Sequence, residues 1–262
     1  MLLSFRSRLR VTLGAEHVQV DVERGGRQSA MASKVLTVKR QDAAISWEPS
    51  LAAWRAHVDE AGIAGKRVDV VVADCFARYA LVPWPEQNLG RDELEAFVRI
   101  QFENLYGEAV RAWTCRYDMR RFGEAGIACA IDTALVDAIE LLCTESRCTL
   151  TSLRPQFMQA FNAAPMSAGS SALFAVSAEG SCTLGVRDDH GWRSIRSVRC
   201  RRTQLRQVLE RERLLQGLPD DAPIYVAGLP GSSVADVQGI VACTVLDEGV
   251  RADAVTHAQA AA

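Results

Sequence analysis

The strongest constraint on the fold is an order of elements that occurs twice along the 262 residues. Alternating or continuous apolar stretches predict strands, whereas apolar residues spaced three and four apart predict helices. In the first half, three strands, a helix and a buried strand are predicted over residues 8–13, 18–22, 34–39, 50–62 and 68–73. In the second half, the same order is predicted over residues 172–177, 181–186, 192–198, 203–215 and 224–227. The repetition predicts two sheet-centred lobes of similar plan.

The first half also carries an inserted segment, roughly residues 78–131. A strand over 78–82 is stopped by Pro83-Trp84-Pro85, because proline lacks an N–H and restricts the residue before it. The helix that follows is predicted to direct one stripe inward, formed by Leu94, Phe97, Val98, Gln101 and Leu105. Gly107 is expected to end this helix in a left-handed conformation. The insertion closes with two strands and the turn between them, over residues 113–118, 126–131 and 120–124.

The same spacing predicts the buried faces of the other helices. The first helix is expected to start at Ser50 as its N-cap and to bury Leu51, Trp54, Val58 and Ala61. A helix over 133–146 is expected to bury Leu135, Ile139 and Leu142. The helix over 203–215 is expected to bury Leu205, Val208, Leu209 and Leu215.

A segment of small residues, AAPMSAGSS over 163–171, is the best candidate for a domain boundary. A strand over 148–153 and a short helix ending near Asn162 precede it. We therefore predict a first lobe over 1–165, a second lobe over 170–250 and a frayed tail over 251–262. Two further elements are predicted in the second lobe, a helix near 234–238 and a strand over 241–246.

Composition excludes several classes of protein. The 30 basic and 32 acidic side chains give a net charge of −2, so nothing attracts the chain generally to nucleic acid or anionic lipid. The eight cysteines stand singly without a Cys-x-x-Cys pair, which predicts reduced core thiols and no metal site. No apolar run is long enough to span a bilayer, and Arg6, Arg8 and Arg10 interrupt the N-terminal one too early for a secretory signal. A cytoplasmic protein is expected. The arginines between 199 and 213 form either a docking strip for an acidic partner or a solvated helix face.

Three short motifs carry a resemblance to a known family. They are Ala77-Arg78-Tyr79 with Val82-Pro83-Trp84-Pro85, Phe102 to Gly107 followed by Trp113, and Ser152-Leu153-Arg154-Pro155 followed by Asn162. With these motifs the chain resembles the actin-like type IV pilus assembly protein PilM and the cytoplasmic domain of the type II secretion protein GspL. The resemblance covers about the first two thirds of the chain well, and the remainder only by the order of its strands.

The resemblance implies an α/β, two-lobed actin-like (ribonuclease H-like) fold with mixed sheets flanked by helices. It also implies a cytoplasmic scaffold held peripherally at the inner membrane through its partners. The expected partner is the cytoplasmic N-terminal segment of a PilN-like membrane protein, with an assembly ATPase and a second copy of the chain as further candidates. The candidate anchor residues in the insertion are Trp84, Arg99, Tyr106 and Trp113. Core packing is the competing interpretation of the three aromatic residues.

Active members of this superfold hold Mg·ATP with two hairpins, each carrying an Asp two residues before a Gly. Here Thr12 precedes Gly14, Ala178 precedes Gly180, and Glu179 points to the opposite face. The adenosine turn keeps Gly228 and Gly231 but inserts Leu229-Pro230. We therefore predict a pseudo-ATPase without a cofactor, with vestigial contacts at Gly14, Gly180, Ser181, Thr183 and Gly228. The alternatives are an active actin-like ATPase or sugar-kinase relative, and a filament-forming protein. The glycines are also explained simply as hairpin turns.

Overall fold

The protein is described from a computed structural model, over residues 8–23, 31–38, 45–61, 63–119, 122–165, 171–178, 180–228 and 242–246. It divides into two compact units, Met1–Gln156 and Phe157–Ala262. The elements of the first unit are β1 (Arg8–Leu13), β2 (His17–Glu23), β3 (Met31–Thr37), α1 (Glu48–Ala61), β4 (Arg67–Val72), β5 (Ala77–Val82), α2 (Arg91–Tyr106), β6 (Trp113–Asp118), β7 (Gly126–Asp132), α3 (Thr133–Glu145) and β8 (Thr149–Pro155). Those after it are α4 (Gln156–Ala163), β9 (Ala172–Ala178), β10 (Ser181–Asp188), β11 (Gly191–Arg199), α5 (Leu205–Leu215), β12 (Ile224–Ala227) and β13 (Cys243–Val245).

The first unit is built on a five-stranded sheet with the order β3-β2-β1-β4-β8. Strand β4 runs parallel to both of its neighbours, β1 and β8. It reads Arg-Val-Asp-Val-Val-Val, and every residue after Arg67 is buried, as expected for a strand covered on both faces. Trp54 of α1 and three residues of α3 lie fully inside this unit, the latter being Leu135, Ile139 and Leu142. The prediction for the buried face of α3 is therefore confirmed.

Two predicted boundaries in this unit are wrong by a few residues. Strand β3 covers Met31–Thr37 instead of 34–39, and Lys39 lies outside the described residues. Helix α1 begins at Glu48, so Ser50 is not its N-cap. The buried hydroxyl of Ser50 instead donates a hydrogen bond to the carbonyl of Gly14, with an O···O distance of 2.6 Å. Ala61 is exposed, and Gly62 lies outside the described residues.

The insertion is a three-stranded antiparallel sheet of order β5-β7-β6, with α2 packed on one face. The buried stripe of α2 differs from the predicted one. Val98 and Phe102 are buried, whereas Leu105, in the last turn of the helix, is 61% exposed. Gly107 ends the helix at the predicted position with a positive φ of +66°, and its N–H donates to the carbonyl of Glu103. Its ψ of −147° lies outside the left-handed helical region, so the cap is not the left-handed one that was predicted. Residues 120 and 121 of the predicted turn lie outside the described residues.

The second unit is also built on a five-stranded sheet, with the order β11-β10-β9-β12-β13. One face is covered by α5, whose Leu205 and Leu209 are fully buried. Leu215, predicted to be inward, is 58% exposed, because the buried stripe ends at Glu212, which forms an ion pair with Arg196 of β11. The helix predicted near 234–238 and the tail over 251–262 lie outside the described residues.

The other face of this sheet explains where the second unit begins. Phe157 and Phe161 of α4 pack on Trp192 at ring-centroid distances of 5.8 and 4.8 Å. Gly185 of β10 lies beneath them, and a Cβ at this position would overlap the rings of Phe157 and Trp192. Helix α4 therefore belongs with the second sheet. The boundary between the two units falls after Gln156, ahead of the small-residue segment over 163–171.

Candidate functional site

The described part of the chain carries an open groove of about 1040 Å³ in the first unit, beside strand β6. Strand β6 forms the edge of the inserted sheet, because β7 is its only partner among the described strands. One wall of the groove is α2, and the start of α3 contributes Thr133. The lining residues outside β6 are Arg91, Glu95, Ala96, Val98, Arg99, Arg111 and Thr133.

Strand β6 lines the groove with five consecutive residues, Trp113 to Tyr117. Successive side chains of a strand point to opposite faces of the sheet, so only the edge of the strand is common to all five. The side chains of Trp113, Cys115 and Tyr117 pack toward α2, whereas the hydroxyl of Thr114 lies 3.0 Å from that of Thr133. The groove therefore runs along the edge of β6.

The charge of the lining is mainly positive, with four arginines and one glutamate. Arg91 pairs with Glu95 at 3.3 Å, and both side chains are mostly exposed. Burial raises the pKa of the Cys115 thiol, while the charges of Arg99 and Arg116 act in the opposite direction. Both guanidinium groups therefore lie near the Cys115 thiol in the wall of the groove.

Two of the four predicted anchor residues, Arg99 and Trp113, line the groove. Arg99 donates a hydrogen bond to the carbonyl of Val110 at 3.4 Å. Tyr106 does not line the groove. It packs edge-on against Trp113 with ring centroids 5.3 Å apart, and its hydroxyl donates to the carbonyl of Tyr79 at 3.2 Å. Tyr106 thus supports the position of Trp113.

The fourth predicted anchor residue, Trp84, lies elsewhere. Its ring packs on Phe122, with centroids 5.1 Å apart, and the side chain of Phe122 is 88% exposed. Trp84 follows Val82, which pairs with Gly126 at the start of β7, whereas Trp113 pairs with Asp132 at the end of β7. The two tryptophans therefore lie at opposite ends of the inserted sheet, and the structure does not bring them together.

The first hairpin of the expected nucleotide site uses its backbone groups internally. The N–H of Gly14 donates to the carbonyl of His17 at 2.9 Å, which closes the turn between β1 and β2. The carbonyl of Gly14 accepts the hydroxyl of Ser50. A phosphate group requires N–H donors that point toward it. The N–H of Gly14 is directed into the turn instead.

In the second hairpin, β9 to β10, a carbonyl and a hydroxyl have partners within the unit. Gly180 has φ of +76°, as its place in the turn requires, and its carbonyl accepts the N–H of Cys200 at 3.0 Å. Thr183 is 2% exposed, and its hydroxyl lies 3.0 Å from that of Ser197 on β11. Ser181 is half-buried at the start of β10. Glu179 lies outside the described residues.

Gly228 is held by packing within the second unit. Its φ is +77°, and a Cβ there would overlap the carbonyl oxygen of Ser177 on β9. The close approach of two backbone segments thus requires a glycine without reference to any ligand. Leu229, Pro230 and Gly231 lie outside the described residues.

A metal centre would draw on the thiols, imidazoles and carboxylates of the described residues. No group of three or more His, Cys, Asp or Glu side chains that could hold a metal ion occurs within the described ranges. All eight cysteines are free. Burial raises the pKa of the Cys143 thiol to about 12, so this thiol stays protonated at neutral pH.

Comparisons with known proteins place the fold. No protein-family model matches the sequence, and no curated protein matches it. A Bacteroides thetaiotaomicron protein of actin-like ATPase fold and unknown function superposes with a TM-score of 0.58 at 11% identity, covering 94% of each chain. The PilM–PilN type IV pilus biogenesis complex gives 0.56 at 14% identity, covering 92% of this chain and 88% of the other. The cytoplasmic domain of EpsL, an inner membrane component of the Vibrio cholerae type II secretion system, gives 0.55 at 14%, covering 84% and 81%.

The chain therefore has the actin-like fold, as predicted, and proteins of the expected kind are among its structural neighbours. None of the helices in the described ranges is both long enough and apolar enough to cross a membrane. The sequence did not reveal the groove itself, because the edge position of β6 follows from the strand order β5-β7-β6 and not from any motif. The arginines at 91, 99, 111 and 116 were the available signal.

Proposed function

We propose that this chain is a non-catalytic scaffold of a type IV pilus or type II secretion-like assembly platform at the inner membrane. In this role it binds the cytoplasmic segment of a membrane protein in the groove beside β6. The observation that carries the proposal is the groove, an open strand edge lined by aromatic and basic side chains in a chain of actin-like fold. A PilM–PilN complex among the structural neighbours supports a PilN-like partner.

The two hairpins support the non-catalytic part of the proposal. Thr12 and Ala178 occupy the positions where a carboxylate would organise Mg²⁺, and neither side chain can act as an anionic metal ligand. The N–H of Gly14 and the hydroxyl of Thr183 have partners inside their own units. The proposal places the protein in the cytoplasm, peripheral to the membrane through its partner. An assembly ATPase and a second copy of the chain are further partners within it.

The test is calorimetric titration of the full chain with a peptide that spans the cytoplasmic segment of a PilN-like, single-span membrane protein from the same genome. Ala96 is exposed on α2 and lines the groove, so Ala96→Trp fills the groove without disturbing the core. Ala52→Trp on the exposed side of α1 is the matched control. We expect the wild type and Ala52→Trp to bind equally, and Ala96→Trp to bind at least tenfold more weakly.

Equal binding by the Ala96→Trp variant would remove the groove from the proposal. The competing function is an active actin-like ATPase, and the same instrument separates the two. Titration with Mg·ATP is expected to give no saturable heat. Saturable Mg²⁺-dependent binding accompanied by turnover would favour the ATPase.

A further inference from the structure

We infer that the groove takes its occupant as an added β-strand, hydrogen-bonded to the open edge of β6, and that this occupant is an extended acidic segment. The inference rests on the proposed function, because it specifies how a partner segment is held in the same groove. It assigns two recognition elements, the backbone of β6 and the arginines around it.

The shape of the groove supports strand addition. Strand β6 has six residues and so spans roughly 20 Å. In an antiparallel pair, alternate residues turn their N–H and C=O groups away from the partner strand. An exposed edge of this kind is a template for an extended peptide. Since residues of both faces of β6 line the groove, an extended chain lying in it runs beside those backbone groups.

One carbonyl of β6 accepts its hydrogen bond from a side chain. The carbonyl of Cys115 accepts a hydrogen bond from the guanidinium of Arg116 at 2.9 Å. Arg116 is exposed, so its side chain can turn away at little cost when a peptide N–H takes over the carbonyl. The released guanidinium is then available to a carboxylate of the same peptide.

The charges favour an acidic occupant. Of the five charged side chains that line the groove, only Glu95 is negative, and it pairs with Arg91. Arg111 has a long, exposed contact of 3.5 Å with Glu108. Arg99 and Arg116 bond to backbone carbonyls, which leaves their positive charge uncompensated by those bonds. Carboxylates of an incoming strand would supply the missing negative charge.

A second copy of this chain fits the edge less well. Pairing β6 with β6 of another molecule would bring Arg116 and the other groove arginines of both copies together, and like charges across a strand pair are destabilising. Nucleic acid or an anionic membrane would respond to the charge but not to the strand edge. A probe that alters backbone N–H groups without altering charge therefore separates these occupants.

The experiment uses fluorescence polarisation with the full chain and a labelled octapeptide of alternating glutamate and valine. We expect saturable binding, at least tenfold weaker for the peptide in which lysine replaces glutamate. The peptide N-methylated at every residue keeps its charges but cannot donate backbone hydrogen bonds, and we expect its binding to be lost. Arg99→Glu and Arg116→Glu should each weaken binding about tenfold, equivalent to roughly 1.4 kcal/mol. Arg211→Glu, an exposed arginine of α5, should leave it unchanged.

Alkylation of the Cys115 thiol, which lines the groove, shows whether the peptide binds at this site. Bound peptide is expected to protect Cys115 from alkylation, whereas Cys75, half-buried and outside the groove, should react at an unchanged rate. Absence of saturable binding would overturn the inference. Undiminished binding of the N-methylated peptide would also overturn it, and would indicate simple anion attraction of the kind that lipid or nucleic acid provides.

The same peptides made with the sequence of the natural partner distinguish failure of this inference from failure of the proposed function. If Ala96→Trp abolishes binding of the partner segment while N-methylation and the arginine reversals do not, the groove is the binding site and strand addition is wrong. If the partner segment does not bind the wild type, the proposed function itself fails.

Discussion

The two hairpins and the inserted sheet differ in how far their backbone groups are hydrogen-bonded within the protein. At Gly14 the N–H is used by His17 and the carbonyl by Ser50, and at Gly180 the carbonyl is used by Cys200. At β6, one side of the strand has no strand partner among the described residues, and a lone exposed arginine caps one carbonyl. An actin-like fold thus combines closed hairpins at the expected nucleotide positions with an open edge in the insertion. From this difference we expect a partner segment at the edge of β6 and no nucleotide at the hairpins.

The largest expected effect tests whether Gly228 serves packing or a ligand. Gly228→Ala should lower the free energy of unfolding by about 2–5 kcal/mol, because it combines left-handed strain with overlap on the Ser177 carbonyl. Gly180→Ala is the matched control, since its φ is similar but no atom lies within 4 Å of the added Cβ. It should cost about 1–2 kcal/mol. Urea denaturation measures both. Equal losses of unfolding free energy in the two variants would contradict the packing role of Gly228. A role in ligand binding would then have to be considered for it.

A smaller effect tests the closure of the first hairpin. Ser50→Ala removes the donor to the Gly14 carbonyl in a buried place, and should lower the free energy of unfolding by about 1–3 kcal/mol. Ser33→Ala on the exposed side of β3 provides the control, and is expected to change it by less than about 0.5 kcal/mol. If Ser50→Ala were as silent as Ser33→Ala, the Gly14 carbonyl would not depend on Ser50.

The smallest effect concerns Asp69 of β4, which ties β1 to β8. Burial alone would raise its pKa, but hydrogen bonds from Thr151, Arg8 and Ser152, with the charge of Arg8, hold the pKa below its ordinary 3.8. The ionised Asp69 contributes about 1 kcal/mol to the free energy of unfolding. This contribution is complete above pH 3.8 and is lost as the pH falls from there through the lower pKa of Asp69 in the folded protein. Asp69→Asn should therefore unfold with a weaker pH dependence than wild type below pH 4 in urea titrations. An unchanged acid slope would show that Asp69 titrates alike in both states.

Much of the fold was predictable, because the apolar pattern of several stretches fits only one kind of element and only one buried face. The apolar run of β4 fits a central strand, and Leu135, Ile139 and Leu142 match one face of α3. The faces of α2 and α5 were harder, since both helices carry more apolar residues than one face can hold. Leu105 and Leu215 remain exposed, while Phe102 and Glu212 take the buried positions. Which apolar residue turns inward is decided by the sheet against which the helix packs.

The candidate site was predictable only in part. Arg99 and Trp113 were expected as anchors and line the groove, whereas Trp84 was grouped with them because its spacing in the sequence gives no information about strand order. Once β7 lies between β5 and β6, Trp84 and Trp113 fall at opposite ends of the sheet. The missing carboxylates at Thr12 and Ala178 could be read directly, because they are a matter of residue identity.

The most direct test of the contrast between closed hairpins and open edge is hydrogen–deuterium exchange on the full chain, alone, with the partner segment, and with Mg·ATP. We predict that the partner segment slows exchange in β6, and that Mg·ATP leaves exchange unchanged in the two hairpins, around Gly14 and Gly180. Protection of both hairpins by Mg·ATP, with no protection of β6 by the partner segment, would contradict the account.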